Sequence, residues 1–253
     1  MAGIEAVLLD QGNTVLEYGL QGRWREFLVA RLRELHPRVV ETCGETALSP
    51  EQFAATVGEV IGGERAHGIE HSGHSWHFGE RLNDGLRTLG LEATEAVLAR
   101  LADEFYAPIR ESTRPYRESQ ETLAGLRALG VKLAIITNSP WDTPSHLLRG
   151  DLERWGLEAF FDAFVCSGDV AWRKPNPAFM LAAAQELSVL PDNCLVVGDR
   201  IEIDIAGAQA ARMRSVWVRR EARAEAAPLP APDWVLDDLG DLPRLVEEAG
   251  ALG

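Results

Sequence analysis

The chain has 253 residues, 46% of them hydrophobic and 25% charged, a balance that excludes a disordered, collagen-like or membrane-spanning architecture. Its formal net charge of −14 repels polyanions, and no basic patch interrupts it, so nucleic-acid binding is not expected. Cys43, Cys166 and Cys194 are odd in number and widely spaced, which fits a reduced cytoplasmic protein without disulfides or a zinc framework.

No run approaches the ~20 apolar residues of a membrane helix. The first strand signal begins at Ile4, with no basic and apolar leader pattern before it, so a secretory signal is not expected. Ile4 to Leu9 is almost wholly apolar and ends in Asp10, the signature of a buried strand in a parallel sheet.

Residues 20–109 are helical in pattern. Trp24, Phe27, Leu28, Leu32 and Leu35 recur at helical spacing, as do Phe53, Val57, Val60 and Ile61, and then Val97, Leu98, Leu101 and Phe105. With no strand signal among them, they form a helical insertion of about 90 residues.

Beyond Pro115 strands and helices alternate. Leu123, Leu126 and Leu129 lie on a helix stopped by Gly130. Strands are expected at Lys132–Thr137, 161–166, 194–197, 215–218 and 234–236. Helices are expected at 147–155, 177–187 with Pro177 at the start, and 205–213, with a last helix at the C-terminus. The fold class is therefore α/β: a Rossmann-like parallel-sheet core, residues 1–15 and 115–253, with an inserted all-helical cap domain at 16–114.

Ligands of such sheets sit beyond the carboxyl ends of the strands. Asp10, Thr137 with Asn138, Lys174 and Asp199 each follow an apolar strand. The topology thus gathers two carboxylates, a hydroxyl and a lysine in one crevice. Two carboxylates alone repel, and one would hold a proton at neutral pH. Mg²⁺ removes that conflict, because it takes hard oxygen ligands. A lysine and a hydroxyl beside it suit a phosphate, so the set reads as a metal-assisted phosphoryl-transfer site. Only two of the 25 basic residues are lysines, Lys132 and Lys174, so an ammonium at 174 calls for a reason.

Four segments carry a family resemblance: Leu8-Leu9-Asp10-Gln11-Gly12-Asn13-Thr14-Val15, Ala134-Ile135-Ile136-Thr137-Asn138-Ser139, Arg173-Lys174-Pro175-Asn176-Pro177-Ala178-Phe179, and the run from Val197 through Gly198, Asp199 and Asp204 to Ala208. In that order they resemble the four motifs of the haloacid dehalogenase superfamily, whose members are mostly phosphatases. The helical insertion is similar to the cap of its best-known cap class.

The resemblance implies that Asp10 is the nucleophile and is phosphorylated in turnover. Thr137 would hydrogen-bond the transferring phosphate, and Lys174 would neutralise charge on nucleophile and phosphate. Asp10, Asp199 and the Gly12 carbonyl would bind Mg²⁺, with Asp204 supporting the metal. Asn138 would orient phosphate or substrate. The implied function is Mg²⁺-dependent hydrolysis of a small-molecule phosphate monoester by a monomer or homodimer.

One departure stands out. Phosphatases of this family usually carry a second aspartate two residues after the nucleophile, as general acid and base. Here that position is Gly12, and such help typically contributes ~10²–10⁴-fold. Glu17, Tyr18 and the cap histidines are substitutes among which the sequence does not choose. The departure keeps two alternatives open: a metal-independent 2-haloacid dehalogenase, and a catalytically weak relative that binds phospholigands. Dehalogenases of the superfamily also lack the second aspartate, but usually have an aromatic residue there and lack the Gly-Asp pair seen at Gly198-Asp199.

His67, His71, His74 and His77 fall within eleven residues. Gly68 and Gly73 interrupt any helix there, so a polar cap segment is expected over a transition-metal site, with substrate contact by His74, Trp76 or His77 as the sharper alternative. Trp141 and Trp172 read either as cleft walls or as packing residues. Arg173 and Arg200 read either as sources of positive potential or as salt-bridge partners.

Overall fold

The computed structural model describes residues 3–19, 23–66, 75–220 and 230–251. The core strands are β1 (Ala6–Leu9), β4 (Lys132–Thr137), β5 (Ala163–Cys166), β6 (Cys194–Gly198), β7 (Arg214–Val218) and β8 (Trp234–Leu236). They form one parallel sheet in the order β5-β4-β1-β6-β7-β8. The wholly apolar β1 is central and buried along its length. Its side chains alternate between two cores, as period-2 geometry requires. Val7 and Leu9 join Leu133, Ile135, Leu195 and Val197 on one face. Ala6 and Leu8 join Ala134, Ile136 and Val196 on the other.

Helices cover both faces. α5 (Ser119–Ala128), α6 (Ser145–Arg154) and α9 (Leu242–Ala251) lie on the first side, and α7 (Pro177–Leu187) and α8 (Ala206–Ala210) on the second. α7 starts as its sequence dictates: Pro177 needs no amide partner, and Asn176 Oδ1 accepts from the Ala178 amide at 2.9 Å. The helix expected at 205–213 is shorter. A π turn at Ile201–Ile205 precedes α8, so the chain leaves β6 by a wide turn that folds Asp204 back toward the strand end.

Four helices form the helical cap: α1 (Trp24–Cys43), α2 (Pro50–Ala66), α3 (Phe78–Arg87) and α4 (Glu95–Ser112). Leu28, Leu32, Leu35 and Val39 make the buried stripe of α1; each contributes roughly 1.5–3 kcal/mol when withdrawn from water. Thr94 caps α4 through the Val97 amide. Entry to and exit from the cap run side by side as a two-stranded antiparallel ribbon, β2 (Leu16–Glu17) and β3 (Arg114–Pro115). Two residues per strand are too few to carry a periodicity, so the ribbon leaves no strand signal in the sequence. Ser119 Oγ ties the ribbon to the core by donating to the Val15 carbonyl at 2.6 Å.

Candidate active site

The parallel sheet delivers its strand ends to one edge. Asp10 follows β1, Thr137 ends β4, and Gly198 ends β6 with Asp199 directly after it. Lys174 enters from the loop after β5 with its side chain buried, and its ammonium lies between two carboxylates. Nζ is 2.5 Å from Asp10 Oδ1 and 2.7 Å from Asp204 Oδ1, and it also donates to the Ile136 carbonyl at 2.9 Å. All three donors of the ammonium are therefore used. Thr14 Oγ1 donates to Asp10 Oδ2 at 3.3 Å, so both oxygens of the nucleophile candidate are held.

Asp204 reaches this place because residue 198 has no side chain. A Cβ on Gly198 would lie 2.3 Å from the Asp204 carboxylate carbon. The Arg200 amide donates to Asp204 Oδ2 at 3.0 Å. Asn138 clamps the lysine backbone at two points: its Oδ1 accepts from the Lys174 amide at 2.9 Å and its Nδ2 donates to the Lys174 carbonyl at 3.0 Å. Beside the role of orienting phosphate or substrate that the resemblance implies for Asn138, its amide holds the lysine loop.

Burial pushes the Asp10 carboxyl up to about 6; the Lys174 charge opposes the rise and Asp204 adds to it. Burial works against the Lys174 ammonium, but the charges of Asp10 and Asp204 outweigh it and hold its pKa above the ordinary value. Oxygen atoms of Asp10, Asp199 and Asp204 all lie within 4.8 Å of one another. Three carboxylates outnumber the Lys174 ammonium and the Arg200 guanidinium that interact with them, which leaves an excess of negative charge. A hard divalent cation such as Mg²⁺ suits that all-oxygen donor set.

Gly12 sits beside the nucleophile, and the room its side chain would need is taken. A Cβ there would be 2.3 Å from Cε2 of Tyr18. The Tyr18 hydroxyl accepts from Gln11 Nε2 at 3.2 Å, and its pKa lies well above the ordinary value, first through burial and then through Asp151. Asn13 takes the left-handed conformation, φ 60°, which asparagine tolerates better than most residues.

The other residues singled out in the sequence take separate places. Trp141 is buried among cap aromatics, stacked on Phe27 and edge-on to Trp24 and Phe105. Trp172 is exposed. Arg173 forms a buried ion pair with Asp142 at 3.2 Å, and the Arg200 guanidinium turns to Glu202. His77 Nδ1 meets the Gly168 carbonyl at 2.7 Å; His67, His71 and His74 lie outside the described residues. Sequence reading missed Asp142, whose partners are 25 to 66 positions away, a separation that leaves no local pattern.

A helical cap over a Rossmann-like sheet, with an Asp-Lys-Asp cluster at the strand ends, defines a capped hydrolase. The chain matches the haloacid dehalogenase-like hydrolase family over residues 4–212, and it belongs to that family. It is 30% identical over 217 residues to glyceraldehyde 3-phosphate phosphatase of Methanopyrus kandleri, covering 83% of this chain and 85% of that one. It is 29% identical over 171 residues to (S)-2-haloacid dehalogenase 2 of a Pseudomonas species, covering 63% and 72%. Among solved structures, a phosphatase of the same superfamily from Thermococcus onnurineus superposes over 98% of this chain and 100% of that one, with TM-score 0.66 and 22% identity. Among the described residues no helix is long and apolar enough to cross a membrane.

Proposed function

We propose that the protein is a Mg²⁺-dependent phosphatase that hydrolyses a small phosphate monoester through an aspartyl phosphate on Asp10. The observation that carries this is Lys174 Nζ bridging Asp10 and Asp204, with Asp199 in the same cluster. The family membership and the phosphatase at 30% identity support it. In this reading residues 1–15 and 115–253 are the catalytic core and 16–114 the cap domain.

Asp10 attacks phosphorus, the bond to the leaving oxygen breaks, and that oxygen takes a proton from a water molecule and departs as the alcohol. Lys174 holds the carboxylate in place and offsets charge on the phosphoryl oxygens, while the Thr137 hydroxyl donates to one of them. Water then attacks the phosphorus of the aspartyl phosphate, the Asp10–phosphorus bond breaks, and phosphate leaves with Asp10 regenerated. Asp10, Asp199 and the Gly12 carbonyl, with Asp204 in support, would hold Mg²⁺, which would supply further neutralisation of phosphoryl charge. Seating of the cap excludes water from the first step.

The test is phosphate release from an aryl phosphate and a panel of metabolite phosphates, with Mg²⁺, with chelator, and for Asp10→Asn. Release that needs both Mg²⁺ and Asp10 is expected. No release from any substrate overturns the reading.

One observation favours a second reading, a carbon–halogen hydrolase in which Asp10 attacks carbon without metal. The room beside Gly12 is filled by the Tyr18 aromatic ring rather than by an acid, and a 2-haloacid dehalogenase is among the relatives. Halide release from 2-haloacids in the presence of chelator would mark it. A ligand retained without turnover of either substrate class would mark a phospholigand-binding relative instead.

A further inference from the structure

Two consecutive residues just beyond β4, Trp141 and Asp142, both take the left-handed conformation, with φ 51° and 52°. Neither is glycine, and side chains disfavour this region, so the surroundings must impose it. The impositions are visible. The Trp141 ring is fixed in the cap by Trp24, Phe27 and Phe105. The buried Asp142 carboxylate takes donors from three separate segments. Its Oδ1 accepts from Ser167 Oγ at 2.5 Å, and its Oδ2 from the Trp76 amide at 2.9 Å and Arg173 Nη1 at 3.2 Å.

Those three donors belong to the cap, the end of β5 and the lysine loop. Two further bonds join the cap to the same loops: Ser75 N–H to the Ala171 carbonyl at 3.0 Å, and His77 Nδ1 with the Gly168 carbonyl at 2.7 Å. Arg173 precedes Lys174 directly, and Ser167 Oγ also accepts from the Ser139 amide at 3.0 Å, next to the Asn138 that clamps Lys174. We propose that Asp142 is a positioning residue that couples seating of the cap loop at Ser75–His77 to placement of Lys174 against Asp10. The cap would then complete the site as it closes, without Asp142 touching substrate.

Only the kinetic part of the test rests on the phosphatase reading. The first measurement is residue-resolved amide exchange in wild type, Asp142→Ala and Asp142→Asn. In Asp142→Ala the amides of Trp76, Lys174 and Asn176 are expected to exchange faster together, each by about tenfold or more, the factor for one buried hydrogen bond. Amides of β1 and β6 stay unchanged. Asp142→Asn keeps an acceptor oxygen but loses the ion pair, so it falls between. Faster exchange at Trp76 with Lys174 unchanged overturns the coupling, as does no change at either. If Asp142→Ala does not fold, Asp142→Asn is judged by the same pair of amides. The second measurement is steady-state phosphate release. A fall in kcat on the order of 10²-fold with KM little changed is expected for Asp142→Ala, the scale of a misplaced reacting group. A rise in KM with kcat intact overturns the proposal. Wild type without phosphatase activity would remove the proposed function and leave the exchange result to decide the coupling.

Discussion

The Tyr18 ring stands where a side chain on Gly12 would go: a Cβ on Gly12 would lie 2.3 Å from Cε2 and 2.5 Å from Cδ2 of that ring. The ring is 5% exposed, so it has little freedom to move aside. Gly12→Asp is therefore expected to destabilise the fold by about 1–3 kcal/mol, the range for overpacking a filled site, and not to speed hydrolysis of alkyl phosphates. Pairing Gly12→Asp with Tyr18→Gly removes the ring and opens room for an acid at that position. Urea midpoints and rates on alkyl and aryl phosphates check this. A stable, faster Gly12→Asp single variant would contradict it.

The carboxylate cluster makes a prediction that needs no turnover. Asp10, Asp199 and Asp204 offer oxygens within 4.8 Å of one another, and they outnumber the Lys174 ammonium and the Arg200 guanidinium whose charges oppose them. Mg²⁺ at a hundredfold excess over its Kd adds about 2.7 kcal/mol to stability, or roughly 5–10 °C in Tm for a chain of this size. Thermal unfolding of the wild type with and without MgCl₂ is expected to show that shift. Asp199→Asn is expected to abolish most of it while leaving the Lys174–Asp10 pair in place. An equal shift in both proteins would place Mg²⁺ elsewhere.

Much of this site was legible in the sequence because a parallel sheet converts one-dimensional punctuation into shared location. Asp10, Thr137 and Asp199 each follow an apolar run, and β1, β4 and β6 carry those runs to one edge. What stayed hidden depends on space or on long separations. Tyr18 as the filler of the room at Gly12 is a contact across six positions with no helical or strand period. Asp142 gathers partners from residues 76, 167 and 173, none of which marks the others. The β2–β3 ribbon has two residues per strand, too few for alternation to register. Asn138 stands beside Thr137 in the sequence, and the contacts of its amide with the backbone of Lys174 are visible only in the fold.

Asp151 links cap and core, and its titration has a definite sign. The Tyr106 hydroxyl of α4 donates to Asp151 Oδ2 of α6 at 2.6 Å, and Arg110 Nε is 3.7 Å from Oδ1. Burial pushes this carboxyl up from 3.8 to about 6; Tyr106, Arg110 and Arg154 oppose the rise. The folded state thus binds more protons than the unfolded state between pH ~4 and ~6. The stability this group contributes is full below pH ~4 and is lost as pH rises through about 6. A rise from 3.8 to about 6 corresponds to roughly 3 kcal/mol. Asp151→Asn keeps an acceptor for Tyr106 and cannot titrate. Its stability relative to wild type is expected to rise by up to that amount from pH 4 to pH 7, measured by urea unfolding at each pH. Parallel curves across the range would rule the buried carboxyl out as the source.

Trp141 sets packing against backbone strain. Its ring is buried among Trp24, Phe27 and Phe105, and removing such a ring typically costs about 3–5 kcal/mol. Its φ of 51° penalises any residue with a Cβ by roughly 1–2 kcal/mol relative to glycine. Trp141→Ala and Trp141→Gly both lose the ring, but only the glycine sheds the strain. Trp141→Gly is therefore expected to be the more stable of the two by about 1 kcal/mol, the reverse of the usual order of alanine and glycine. That inversion requires residue 141 to stay left-handed without its ring, held by the three bonds to the neighbouring Asp142. In an Asp142→Ala background those bonds are gone, the chain is free to relax, and the preference for glycine should vanish. Equilibrium unfolding of the four variants measures both steps. Alanine above glycine in the wild-type background would show that the ring, not Asp142, imposes the turn.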